Sequence, residues 1–190
     1  MNALLAAAIL LAALAPAPRK AIIVVQGSGK ARVVALSFDA GADRGYAPRI
    51  LRTLEHLHVK ASFGMTGRWA LANPGLVKRI ARDGNVFINH TYDHRSFTGY
   101  STKTAPLTAR RRRWEIVHTQ SIIHRLTGKT PKPFFRPPYG DYDPATLTQV
   151  RSLGYRYMVM WTIDTLGWEG LTREAILLRT LSLVKPGAII

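Results

Sequence analysis

The stretch Leu36-Ser37-Phe38-Asp39-Ala40-Gly41-Ala42-Asp43 places two acidic side chains directly after an apolar segment. The residues at 33–36 are apolar and two of them are β-branched, so they predict a buried strand over residues 33–38. Gly41 then allows the chain to turn sharply. The sequence therefore predicts that Asp39 and Asp43 lie at the carboxyl end of a buried strand.

Strand-like and helix-like segments alternate outward from this stretch. Strands are predicted at residues 33–38, 61–65, 86–89, 133–135 and 156–162, and residues 187–190 resemble the start of another. Such alternation predicts an α/β fold with parallel strands, either a barrel or an open sheet. In a barrel the reactive groups gather at the carboxyl ends of the strands. Asp39, His90, Arg136 and Asp164 each follow a predicted strand. This coincidence favours a barrel with one site.

Two histidines stand four residues apart in the segment His90-Thr91-Tyr92-Asp93-His94. This spacing presents both imidazoles on one side of a turn, which suits a shared divalent metal ion. An acidic ligand from the stretch at residues 39–43 would complete a three-ligand site with an open position for water or substrate. The same spacing also occurs in polar surface loops, so the motif alone leaves that alternative open.

Two further segments follow predicted strands. Phe134-Phe135-Arg136-Pro137-Pro138-Tyr139-Gly140 contains prolines and a glycine, which fix an irregular backbone that can hold an arginine or a backbone N–H in place. Trp161-Thr162-Ile163-Asp164-Thr165-Leu166-Gly167-Trp168 brackets an acid with tryptophans. Core packing is the usual reason for such tryptophans, but aromatic walls beside carboxylates also build sugar-binding clefts. A solvated loop and a packed core remain the alternatives.

The composition describes a folded and strongly basic protein. A length of 190 residues suits a single domain, and the formal charge of +16 predicts attraction to an anionic partner such as nucleic acid, a membrane surface or an acidic wall polymer. The strongest basic run is Arg110-Arg111-Arg112-Arg113, which is interpreted as a solvated helix face. The absence of cysteine excludes disulfides, thiolate metal sites and a cysteine nucleophile.

Residues 1–18 are predicted to be a targeting segment. Residues 3–15 form an uninterrupted apolar run that is followed by small residues and prolines, as in secretory signal peptides. No lysine or arginine precedes the run, so an uncleaved N-terminal anchor is the alternative. Either reading predicts a secreted or cell-envelope protein that contacts a membrane only through this segment.

Taken together and in this order, the four segments resemble the polysaccharide deacetylase family, the NodB-homology enzymes of carbohydrate esterase family 4. The resemblance covers residues 32–190 and implies that residues 19–190 form a distorted (β/α) barrel. It also implies a hydrolase that removes N-acetyl groups from peptidoglycan, chitin or a related glycan by cleaving a linear amide C–N bond. The implied cofactor is a divalent metal ion, with zinc preferred and cobalt or manganese as alternatives.

The resemblance implies a role for each matching residue. Asp39 would be the general base and Arg136 would orient it, while His90 and His94 would bind the metal ion. The family usually places a third metal ligand, a second aspartate, directly after the base, where this chain has alanine. Asp43 is the nearest acid, and we predict that it takes this place.

The remaining roles concern the substrate and the end of the barrel. The Tyr139 N–H would stabilise the oxyanion, and Asp164 and Trp168 would shape the acetyl pocket. Gly167 replaces an aspartate that the fourth motif often carries. The resemblance further places a catalytic-acid histidine just after the strand that begins at residues 187–190, so the chain is expected to lack this histidine and the closing strand or strands.

Two other functions compete with the deacetylase. One is a glycan-binding relative or fragment with impaired catalysis, which the alanine after Asp39 and the missing histidine favour. The other is a basic nucleic-acid-binding protein, because a charge of +16 suffices for nonspecific phosphate binding. No recognised nucleic-acid-binding motif accompanies the charge, so we expect no specific nucleic-acid partner.

Overall fold

The computed structural model describes residues 20–41 and 43–190, and six parallel strands form the centre of that part of the chain. The order across the sheet is β1 (Ile22–Val24), β6 (Tyr157–Val159), β5 (Phe134–Phe135), β4 (Val86–Asn89), β3 (Ser62–Met65) and β2 (Ser37–Ala40). Every neighbouring pair is parallel. This arrangement confirms the predicted α/β class, and the predicted targeting segment at residues 1–18 lies outside the described residues.

Helices connect the strands. They are α1 (Ala47–His56), α2 (Gly67–Ala72), α3 (Pro74–Arg82), α4 (Ala109–Thr127), α5 (Pro144–Ser152) and α6 (Arg173–Leu183), with short 3₁₀ turns at Pro138–Gly140 and Gly167–Glu169. Thr108, Asp143 and Thr172 cap α4, α5 and α6 through their side chains. The Asn73 side chain does not cap α3, because its amide donates to the Trp69 carbonyl oxygen instead. Among the described residues, no helix combines the length and apolar character that a membrane crossing needs.

Two clusters of buried apolar side chains hold helices α1 to α5 against the sheet, whereas α6 contributes no buried residue. The first joins α1, α2, α3 and α4 to β3 and β4, and Val77 and Ile80 contribute to it from one face of α3. The second joins β5, β6 and α5 to the loop after β4, with Phe97 and Tyr155 fully enclosed. Because both clusters pack around the sheet, the strand carboxyl ends are held in fixed relative positions.

The sheet is not closed by a regular strand, as in a distorted barrel. Residues 188–190 instead lie between the segments that precede β2 and follow β6. The Ala188 carbonyl oxygen accepts from the Ala35 N–H at 2.9 Å, and the Ile189 carbonyl oxygen accepts from the Thr162 N–H at 2.8 Å. Ala188 and Ile189 are both buried. This seam, defined as residues 187–190 with these partners, connects the two sides of the sheet.

Some sequence predictions of the elements are wrong in detail. The strand at 33–38 begins later, at Ser37, and the strand at 156–162 ends earlier, at Val159. The second ends early because the carbonyl oxygens of Val159 and Met160 accept hydrogen bonds from Arg136. Neither β1 nor α2 was predicted, because each is too short to show a clear periodicity.

The basic run at residues 110–113 is only partly a solvated face. Arg110 and Arg113 are exposed. Arg111 pairs with Glu115, and the buried Arg112 donates to the Thr146 hydroxyl at 3.2 Å. Two of the four guanidinium groups therefore have structural partners inside the fold.

Candidate active site

Asp39 and Arg136 form an ion pair at the carboxyl ends of β2 and β5. Arg136 is only 3% exposed, and its Nη1 lies 2.8 Å from Asp39 Oδ1. Three further guanidinium N–H groups donate to the Ser37 hydroxyl and to two carbonyl oxygens, those of Val159 and Met160, at 2.9–3.2 Å. Four of the five donors in the planar guanidinium group are thereby used in fixed directions. Arg136 is held rigidly and holds Asp39 in turn.

The Asp39 carboxylate occupies the space where a side chain at position 64 would lie. Gly64 of β3 pairs directly with Asp39 in the sheet register. A Cβ atom at Gly64 would overlap Asp39 Oδ1. Glycine is therefore required at this position if the carboxylate is to keep its orientation.

His90 follows β4 and faces the same carboxylate. Its Nδ1 lies 2.9 Å from the Arg136 carbonyl oxygen, which can only accept, so Nδ1 carries the proton. The Nε2 lone pair is left pointing towards Asp39, at 3.6 Å from Oδ2. A backbone acceptor on one ring nitrogen and a free lone pair on the other is the arrangement typical of a metal-binding histidine.

His94 lies beside His90 on the same loop. The two ring centroids are 4.8 Å apart, and the Tyr139 ring is 4.7 Å from His94 on another side. Burial and the neighbouring His90 lower the pKa of His94 from 6.5 to about 4. The imidazole is therefore neutral at neutral pH, which is the form that binds metal ions.

The donor set fits a divalent metal ion in its chemistry. His90 and His94 offer two imidazoles beside the Asp39 carboxylate, and imidazole is a ligand that zinc, cobalt and manganese accept. Within residues 20–41 and 43–190, however, no three acidic or histidine side chains are already gathered as a complete metal site. A third ligand has to come from elsewhere or from a small rearrangement.

Asp43, the predicted third ligand, is exposed. Its carbonyl oxygen accepts from the Trp69 indole at 2.7 Å. In the described part of the chain no hydrogen bond or ion pair joins its carboxylate to either histidine. Gly41 lies against His94, and a Cβ atom there would be 3.6 Å from the ring. Ligation by Asp43 therefore stays a prediction.

Tyr139 offers a backbone donor beside the histidines. It adopts a left-handed conformation, with φ at 59°, within the 3₁₀ turn. Hydrogen bonds from the N–H groups of Gly140 and Asp141 to the Pro137 and Pro138 carbonyl oxygens hold this turn. The Tyr139 N–H itself has no acceptor among the described residues. A strained residue with a free donor is typical of functional sites.

Asp164 and Trp168 form a pair of their own on the loop after β6. Asp164 accepts from the Leu166 N–H at 2.9 Å and from the Trp168 indole at 3.3 Å. Trp168 is 76% exposed. In the described part of the chain neither residue has a hydrogen bond or ion pair to Asp39 or His90. Their roles in an acetyl pocket stay predictions.

Two features beside the site were not predicted from the sequence. Trp161 lies 5.6 Å from the Arg136 guanidinium, so the arginine is covered by an aromatic ring. A cavity of about 360 Å³ also opens next to the histidine loop. It is lined by Gly41, Thr66, Arg68, Trp69, Ala72 and Asp93.

Asp141 fixes the proline-rich loop to the long loop after β4. Its carboxylate accepts from the hydroxyls of Ser96 and Ser101, each at 2.6 Å, and from the Ser101 N–H. Burial alone would raise the pKa of Asp141, but these hydrogen bonds outweigh it and lower the pKa. In the sequence, the signal for this role is an acid directly after the Pro-Pro-Tyr-Gly turn.

A sequence profile described as polysaccharide deacetylase matches residues 26–158. The chain belongs to the polysaccharide deacetylase family. A peptidoglycan-N-acetylglucosamine deacetylase from Bacillus cereus is 37% identical over 157 residues, which are 83% of this chain and 54% of that relative. The chain thus spans about half the length of the curated relatives it matches.

Solved structures of this deacetylase family share the same fold. A peptidoglycan N-acetylglucosamine deacetylase bound to an N-hydroxybenzamide ligand aligns with a TM-score of 0.80 and 33% identity, over 88% of this chain and 74% of that one. A carbohydrate esterase family 4 pseudoenzyme from Bacillus anthracis aligns with a TM-score of 0.78 and 27% identity, over 93% and 58%. The family fold therefore occurs both in a protein named as a deacetylase and in a relative described as a pseudoenzyme.

Proposed function

We propose that this protein is a metal-dependent hydrolase that removes N-acetyl groups from peptidoglycan or a chitin-like glycan. The observation that carries the proposal is the Asp39–Arg136 pair, which faces His90 at 3.6 Å with His94 beside it. The peptidoglycan deacetylases among its relatives support the substrate class. The predicted leader supports an extracytoplasmic location, where exposed Arg110 and Arg113 would also attract anionic wall polymers.

Asp39 is the proposed general base. Its Oδ1 is engaged by Arg136, which fixes the carboxylate in place, while Oδ2 faces the space in front of His90. A water molecule placed there would lose its proton to Oδ2 as it attacks the amide carbonyl carbon. General base catalysis of this kind contributes roughly 100- to 10,000-fold in rate.

Tyr139 is the proposed oxyanion donor. Its N–H lacks an acceptor among the described residues and lies in a turn that two backbone hydrogen bonds hold. A fixed donor of this kind stabilises the charge that develops on the carbonyl oxygen. The proton that Asp39 has taken must finally reach the leaving amine. Separately, Asp164 and Trp168 would shape the pocket that binds the acetyl group.

His90, His94 and Asp43 are the residues that would hold the metal ion. When bound, a divalent ion polarises the amide carbonyl and lowers the pKa of water to about 7. The neutral state of His94 and the oriented lone pair of His90 support this use. We expect Asp43→Ala to lower the bound metal, as measured by elemental analysis after dialysis, and an unchanged metal content would show that Asp43 is not a ligand.

The proposal is tested by acetate release. The protein is incubated with peptidoglycan or N-acetylglucosamine oligomers and with zinc, cobalt or manganese, and acetate is quantified enzymatically. We expect release that a chelator abolishes and that Asp39→Asn lowers by about 100-fold or more. Glu55→Gln, a remote change on the surface of α1, serves as the control and should release acetate at the original rate.

A catalytically impaired glycan-binding relative is the second candidate. The incomplete ligand set of the described residues and the pseudoenzyme among the structural relatives favour it. This protein would retain the glycan on a column but release no acetate with any metal. Salt-sensitive retention of DNA without hydrolysis or glycan binding would contradict both candidates and support a nucleic-acid-binding protein.

A further inference from the structure

A buried carboxylate on α4 binds the backbone between the two histidines. Glu115 has no exposed surface. Its Oε2 accepts from the Tyr92 N–H at 2.8 Å and from the Asp93 N–H at 3.0 Å. These N–H groups belong to consecutive residues in the middle of the loop that His90 begins and His94 ends.

Arg111 neutralises this carboxylate. Its Nη2 lies 2.8 Å from Glu115 Oε1 and 3.1 Å from Asp93 Oδ2, so one guanidinium group joins the helix to the loop. The guanidinium also lies 4.2 Å from the Trp114 ring centroid, which fixes its plane. A buried carboxylate is tolerated when its oxygens are used in this way.

The loop needs such an anchor because its backbone is strained. Thr91 and His94 both have positive φ angles, 67° and 62°. Such conformations persist only when several contacts fix them. Hydrogen bonds from the start of α2 to the carbonyl oxygens of Thr91 and Tyr92 hold one side of the loop, and Glu115 holds the N–H side.

We propose that Glu115 is a positioning residue, which sets the separation and direction of the His90 and His94 imidazoles by binding the two N–H groups between them. The inference rests on the proposed function, because it assigns metal binding to these histidines. The physical basis of the proposal is that residues bonded around the metal ligands, rather than to the metal, orient those ligands. Loss of such a residue typically weakens metal binding by about 10- to 100-fold.

The first test is a cobalt titration of the whole protein, followed by visible absorbance. Glu115→Gln keeps the size of the side chain but removes its charge and one acceptor oxygen. We expect cobalt to bind about 10- to 100-fold more weakly. We also expect kcat to fall with little change in KM, because the residues proposed to contact the substrate, Tyr139 and Trp168, lie on other loops. Ile80→Val, a mild change in the buried face of α3, is the control and should bind cobalt as the original protein does.

A second measurement separates this inference from the proposed function. Amide hydrogen exchange at Tyr92 and Asp93 should accelerate in Glu115→Gln relative to the rest of the loop, with or without metal. If the original protein binds no cobalt, the proposed function fails and the exchange rates alone decide the positioning role. Unchanged exchange, or cobalt affinity equal to that of the original protein, would overturn it.

Arg111→Gln keeps the test decisive if the Glu115 variant does not fold. This change removes the partner of Glu115 at a half-exposed position and leaves the helix intact. We expect faster exchange at the same two amides and weaker cobalt binding, in the same direction as Glu115→Gln. Amide exchange rates and a cobalt affinity equal to those of the original protein would contradict the proposal.

Discussion

Asp39 owes its orientation to a neighbour that has no side chain. Gly64 lies opposite Asp39 in the sheet register, and a Cβ atom there would overlap the carboxylate. The carboxylate also binds Arg136 and faces His90, so these three residues together restrain its orientation. At the scale of single residues, the orientation of Asp39 depends on the space that the missing side chain of Gly64 leaves.

Gly64→Ala should therefore damage the site and the sheet together. We expect a loss of unfolding free energy of about 1–3 kcal/mol from overpacking, and a lower kcat for acetate release. Chemical denaturation and initial rates measure the two effects. Gly75→Ala is the matched control, because a Cβ atom at Gly75 meets nothing within 4 Å. Equal effects of the two substitutions would contradict the argument.

That the candidate site residues lie together could be predicted, but their partners could not. Asp39, His90 and Arg136 stand next to predicted strand ends, and parallel strands bring such ends together. Glu115 and Gly64 are ordinary members of a helix and a strand in the sequence. Their importance follows from contacts across the fold, which no local pattern contains.

At the scale of elements, the long loop after β4 depends on Asp141. This carboxylate binds the hydroxyls of Ser96 and Ser101, and thereby ties the loop to the turn that presents Tyr139. Its pKa is lowered below the usual 3.8. The ionised form thus stabilises the fold above pH 3.8, and this contribution is lost as the pH falls through the lowered pKa.

Asp141→Asn should destabilise the protein in a pH-dependent way. At pH 7 we expect the free energy of unfolding to fall by about 1.5–3 kcal/mol, which is the usual contribution of hydrogen bonds to a charged group. Below pH 3.8 the difference in this free energy between the variant and the original protein should shrink. Urea denaturation at a series of pH values measures this, with Glu169→Gln on an exposed turn as the control. A difference that is constant with pH would show that the charge of Asp141 does not matter.

Element types were predicted better than element ends. The strand predicted at residues 86–89 matches β4, and the strand predicted at 61–65 differs from β3 by one residue. The strand predicted at 156–162 ends early because Arg136 takes the carbonyl oxygens of its last residues. A side chain from another strand decides that boundary, so periodicity within the segment could not reveal it.

At the scale of the whole molecule, the seam at residues 187–190 joins the two sides of an unclosed sheet. Ile189 is 6% exposed and its carbonyl oxygen accepts from the N–H groups of Thr162 and Ile163. The sequence predicted a strand-like segment here, because the residues are apolar. Its unusual position between two non-neighbouring segments could not be predicted, since it depends on the twist of the complete sheet.

Ile189→Ala should measure how much the seam contributes to stability. We expect the free energy of unfolding to fall by about 2–5 kcal/mol, the range for truncating a buried isoleucine. Leu178→Ala on α6 is the control, because Leu178 is 68% exposed and should cost little. Chemical denaturation compares the two. A similar small effect for both would mean that the seam adds no stability.

Ser37 connects the seam to the candidate active site. Its hydroxyl donates to the Ile190 main-chain oxygen at 2.8 Å and accepts from Arg136 at 2.9 Å, and Arg136 binds Asp39. Loosening of the seam is therefore transmitted through two hydrogen bonds and one ion pair to the proposed base. On gradual warming we therefore expect acetate release to decline before the core unfolds, because loosening of the seam displaces the proposed base.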